Sequence, residues 1–131
     1  LARVAREPTF LPLTISTAGT LPPIRVPALR ADAAAAECWA ALLAGCDAPG
    51  RHQLPWRLRD LAEATSAYAG ESWWNSGGFR DRNRIGQART RIEEAIRDRD
   101  GADFAEAFIG YDQAVATAVA RVTTRTRSAA R

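Results

Sequence analysis

The stretch Leu29–Ala44 constrains the fold more than any other part of this 131-residue chain. Half of its residues are alanine, and it holds no proline, glycine or β-branched side chain. Such a backbone loses little side-chain freedom in a helix and has no breaker to interrupt one. Leu29, Ala33, Ala36, Trp39, Ala40 and Leu43 recur at helical steps and form one stripe, which the spacing assigns to the core. Cys38 and Leu42 face elsewhere, and the only charges, Arg30, Asp32 and Glu37, lie within the first nine residues. A helix apolar most of the way round belongs in the middle of a bundle. Gly45 and the run Asp47-Ala48-Pro49-Gly50 stop it.

Three more helices follow from the same periodicity. From Pro55 to Ala69, Leu54, Leu58, Leu61, Ala62, Thr65 and Tyr68 make an inward face, and Gly70 ends the run. After Trp73–Trp74 and the break at Gly77–Gly78, an arginine-rich helix spans Phe79 to Arg99. It turns Ile85, Ala88, Ile92, Ala95 and Ile96 to one side. Asp103 and Glu106 read as a capping box for a last helix. Its seam is Phe104, Phe108, Tyr111, Val115, Val119 and Val122. The expected fold is all-α, a bundle of four main helices packed antiparallel over residues 29–122.

The flanks read differently. Pro8, Pro12, Pro22, Pro23 and Pro27 argue against a regular helix over residues 1–28. That segment is expected to be an extended arm lying across its own domain or a neighbouring subunit. The alternative is a short β-hairpin pairing Phe10–Ile15 with Leu21–Val26. Residues 123–131 lose the apolar period and are expected to fray as a basic tail.

Apolar usage of 47% and charged usage of 25% are those of an ordinary globular domain. All 18 basic residues are arginine, as GC-rich coding produces, and the net charge of +3 is unevenly spread. Phe79–Arg91 and the segment after Asp112 are both basic, while the remainder is acidic. Such a split fits a basic partner-facing surface, and a solvated helix face accounts for it equally well. Cys38 and Cys46 fall too far apart along one helix for a disulfide unless Gly45 breaks it. Reduced thiols, the absence of an apolar leader after Leu1, and the lack of any membrane-length apolar run give an expected cytoplasmic location without membrane attachment.

Few residues suit catalysis. His52 is the sole histidine and has no metal-ligand spacing to either cysteine, so no metal, cofactor or catalytic residue is expected and the chain reads as a non-enzyme. Trp39 falls on the inward stripe, while Trp56, Trp73 and Trp74 sit near helix ends, where a large ring seals a bundle. Adjacent residues on a helix point about 100° apart, so Trp73 and Trp74 cannot both face inward. One of them is expected to be partly exposed beside Phe79, Arg80, Arg84, Gln87 and Arg91, an interaction surface of aromatic rings among guanidinium groups. The chain is thus expected to be a helical interaction module, an adaptor or a self-associating subunit, with a homodimer through the N-terminal arm as one form. The alternative is binding to DNA or RNA. Arg82, Arg89, Arg121, Arg125 and Arg127 are then further phosphate contacts.

Overall fold

The computed structural model describes residues 9–46 and 49–129. They form six helices, and no strand occurs among the described residues, so the fold is all-α. The helices are α1 (Pro12–Ala18), α2 (Pro22–Ala44), α3 (Pro49–Ala69), α4 (Glu71–Trp74), α5 (Phe79–Arg97) and α6 (Gly101–Ala129). α2 packs along α3 and α5 along α6, each a hairpin closed by a short connection. α1 bridges the hairpins, lying on α6 and α2, and α3 also meets α6. The core lies between these pairs and is built on Leu54, Leu58, Leu61, Ile92, Phe104, Phe108, Tyr111 and Val115, all almost fully buried.

The inward faces expected for α3, α5 and α6 are the observed ones. Ile85, Ile92 and Ala95 are buried on α5, with Ala88 and Ile96 packed at the edge of the core. Every residue of the α6 seam from Phe104 to Val122 is buried. Gly45 ends α2 in the left-handed conformation, with the Cys46 amide returning to the Ala41 carbonyl at 3.0 Å. That closure satisfies carbonyls the helix would otherwise leave open. At the start of α6 the cap is Asp100, not Asp103, since Asp100 Oδ1 accepts the Asp103 amide at 2.9 Å.

The extended arm or hairpin expected over residues 1–28 is instead helical at Pro12–Ala18 and from Pro22 onward, while residues 1–8 lie outside the described residues. The prolines permit this because of where they fall. Pro12, Pro22 and Pro23 occupy the first positions of α1 and α2, where an amide has no intrahelical partner to lose. Of these N-terminal prolines Pro27 alone lies inside a helix, at the second turn of α2. Pro55, expected at the first position of its helix, is likewise internal, because α3 begins at Pro49. The tail also departs from expectation, since α6 runs on through residues 123–129. Tyr68 Oη and Thr123 Oγ1 lie 2.8 Å apart, tying this extension to α3.

Two carboxylates remote in sequence hold α1 in place. Asp112 on α6 accepts the amides of Leu13 at 3.0 Å and Thr14 at 2.8 Å. Asp32 Oδ1 on α2 accepts the amides of Phe10 at 2.6 Å and Leu11 at 2.9 Å. Phe10 is thereby placed edge-on to Trp39, Phe104 and Phe108, with centroid separations of 5.4–5.9 Å.

Candidate functional site

The tryptophan elbow is an internal joint. Gly70, at φ +87°, separates α3 from α4 in a conformation that favours glycine. Trp74 is buried and Trp73 half-buried. A Cβ at Gly77 or Gly78 would meet the Trp73 indole at 2.7 Å, so the double glycine makes room for the ring. The Arg125 guanidinium stands 4.9 Å from the indole centroid, and its Nη2 donates to the Ala69 carbonyl at 2.6 Å. Trp73 is thus the partly exposed tryptophan of the pair, with Arg125 over its ring. Phe79 is the half-exposed ring, with the Arg82 guanidinium 5.2 Å from its centroid and Arg82 Nη1 donating to Asn75 Oδ1. Trp56 is 65% exposed under Arg59 and seals nothing.

The arginines divide into two groups. Arg80, Arg84 and Arg91 are exposed on α5 with no ion-pair partner among the described residues. Arg84, Gln87 and Arg91 line a shallow cleft of about 280 Å³ together with Gly110 and Gln113 of α6. Most of the other candidate phosphate contacts are engaged within the chain. Arg89 pairs with Glu93 at 3.8 Å, and Arg121 with the buried Asp81 at 3.5 Å. Arg125 and Arg82 are used at the elbow, and Arg127 is exposed in the last turns of α6. The structure thus gathers Arg84, Gln87 and Arg91 and leaves the rest dispersed.

The larger correction concerns α2. Its buried face is Ile24, Ala28, Ala31, Ala35 and Cys38, with Leu42 at the edge of the core. Of the stripe assigned to the core from the sequence, Ala36 and Trp39 pack partly buried against it, while Leu29, 43% exposed, Ala33, Ala40 and Leu43, 61% exposed, look out. Beginning the helix at Pro22 adds Val26, 43% exposed, to this outer face and Ile24 and Ala28 to the inner one. Trp39 continues the apolar surface sideways, its Nε1 donating to the Gly101 carbonyl at 3.2 Å. Beside it lies a cavity of about 380 Å³ lined by Phe10, Leu13, Trp39, Phe108 and Ile109. Leu13 is 47% and Ile109 62% exposed at its rim. Neither residue stands out in the sequence. The signal that was available is that both faces of α2 are apolar, so periodicity alone cannot rank them.

His52, expected in a loop, is exposed near the start of α3. Cys38 is buried, Cys46 is exposed, and no disulfide joins them. Among the described residues no three metal-ligating side chains cluster, and no helix is long and apolar enough to cross a membrane. No protein-family model, curated protein or solved structure matches the chain.

Proposed function

We propose that the chain is a helical interaction module, non-enzymatic, whose contact face is the outer side of α2. One observation carries this reading: Val26, Leu29 and Leu43 stand exposed along a helix whose other face is already in the core. The rim residues Leu13 and Ile109 extend the same apolar surface. Burying a Val, Leu or Ile side chain is worth about 1.5–3 kcal/mol, and a contiguous apolar patch marks a contact surface where isolated exposed residues do not. The long helices α2, α3, α5 and α6 act as the bundle that holds this face rigid. A cytoplasmic setting belongs to the reading, supported by the exposed Cys46, which a reducing compartment keeps as a thiol.

A photoreactive side chain placed at Ala33 or Ala40, with Glu63 on the exposed side of α3 as control, tests the reading in the cells that make the protein. A discrete cross-linked species from the α2 positions, absent from the control, is the expected result. Equal and diffuse labelling from all three positions would overturn it.

A second reading, binding to DNA or RNA, is favoured by the cleft where Arg84, Gln87 and Arg91 converge with Gln113. Its surface is smaller than the full arginine count implies, because Arg89 and Arg121 have carboxylate partners. Binding of this kind weakens steeply with salt, and replacing Arg84 and Arg91 by serine flattens that dependence. Absence of binding to duplex and single strands at low salt disposes of it.

A further inference from the structure

The outer face of α2 runs Pro22, Val26, Leu29, Ala33, Ala36, Ala40, Leu43, at steps that alternate strictly between four and three. That is the heptad seam of a helix that packs along another helix. It extends about 32 Å at 1.5 Å per residue. We propose that it docks a second copy of this chain, α2 against α2 in antiparallel orientation. The inference rests on the reading of this face as a contact surface and names its occupant.

The charges beside the seam select both the occupant and its direction. Arg30 and Glu37 are exposed on one flank, seven residues apart, and neither has a partner among the described residues. Arg25 lies exposed on the other flank, beside Asp32, whose Oδ1 is committed to the Phe10 and Leu11 amides. Two copies packed parallel and in register bring Arg25 beside Arg30, a repulsive pair, and give Glu37 no cation to meet. Reversing one copy instead brings Arg30 of each chain toward Glu37 of the other, so the two-fold axis creates two attractive pairs. The distribution of side-chain size agrees. Ala33 and Ala36 lie near the middle of the seam and let the two backbones approach closely. The larger Val26, Leu29 and Leu43 lie toward its ends. A helix that is apolar on both faces is what such an arrangement needs, one face for its own core and one for its copy.

The test is the mass of the full chain by light scattering and sedimentation equilibrium across a concentration series. A dimer is expected. Ala33→Glu should convert it to a monomer of unchanged helical content, because the residue is exposed. Arg30→Glu and Glu37→Arg should each weaken the dimer about tenfold at low salt, and the double exchange should restore it. A wild type that stays monomeric at every concentration overturns self-pairing. If Ala33 and Ala40 then cross-link to a different protein, the contact-face reading still stands. A dimer that Ala33→Glu dissociates but the double exchange does not restore overturns the antiparallel geometry. A dimer indifferent to Ala33→Glu overturns the proposal altogether.

Discussion

Asp112 holds Thr14 through both backbone and side chain, its Oδ1 accepting the Thr14 amide at 2.8 Å and the Thr14 hydroxyl at 2.7 Å. The two residues are 98 positions apart and both are buried. A seven-residue helix with no local side-chain cap is too short to be stable alone, so α1 exists because α6 supplies its cap. Together with the Asp32 bond to its own amide, these contacts seat Phe10 among the aromatic rings beside the cavity at Trp39.

Asp112→Ala should therefore destabilise the fold by about 2–4 kcal/mol, since it strands buried donors. Asp112→Asn keeps one acceptor and should cost less. Urea denaturation gives both values. A coupling of at least about 1 kcal/mol between Asp112→Asn and Thr14→Val in a double-mutant cycle is expected. Strict additivity would mean that the hydroxyl of Thr14 contributes nothing to the joint.

At the elbow, Gly78→Ala should displace the Trp73 ring, because the new Cβ would meet it at 2.7 Å. Overpacking of this sort costs about 1–3 kcal/mol. Arg125→Ala should remove the cap on the Ala69 carbonyl and release the α6 extension beyond Val122. Hydrogen exchange checks this directly, with protection of residues 123–128 falling while that of residues 108–119 persists.

These two joints also show which parts of the fold the sequence could reveal. Leu54, Leu58 and Leu61 on α3, and the α6 seam, have polar residues opposite them, so periodicity identifies the buried side without ambiguity. α2 has no such contrast, and most of its stripe was assigned to the wrong face. The prolines at positions 12, 22 and 23 read as breakers until the helix starts are known, when they become first-turn residues. The caps from Asp32 and Asp112 and the arginine stack on Trp73 depend on distant partners, and no local pattern encodes them. For the candidate site, Arg84, Gln87 and Arg91 were legible as one helix face. The exposure of Leu13 and Ile109 was not, because it depends on how α1 lies against α6.

Arg99 adopts φ +55° beyond the end of α5, and the Asp100 amide closes on the Ala95 carbonyl at 3.0 Å. This is the closure that Gly45 makes at the end of α2, but here a residue bearing a Cβ carries it. Arg99→Gly should raise stability by about 0.5–1 kcal/mol, since the left-handed conformation costs an L-residue about 1–2 kcal/mol and the flexible unfolded glycine returns part of that. Arg99→Val should lower it. Thermal and urea melts of the two variants should move in opposite directions.

Tyr111 is fully buried, and its hydroxyl has no hydrogen-bond partner among the described residues. Burial pushes the phenol well above its usual range, while the positive charge of Arg89 pulls weakly the other way. The folded protein therefore holds the proton at pH values where the unfolded chain, with an ordinary phenol near 10, releases it. Above about pH 10 the folded state binds more protons than the unfolded one, so stability falls as pH rises and is fully present below that point. Tyr111→Phe should leave stability unchanged or raise it by about 1 kcal/mol at neutral pH, because an unpaired buried polar group is removed at almost constant volume. It should also lessen the loss above pH 10. Denaturation curves from pH 7 to pH 11 measure both effects. A clear loss of stability in the phenylalanine variant at neutral pH would show that the hydroxyl is paired in solution.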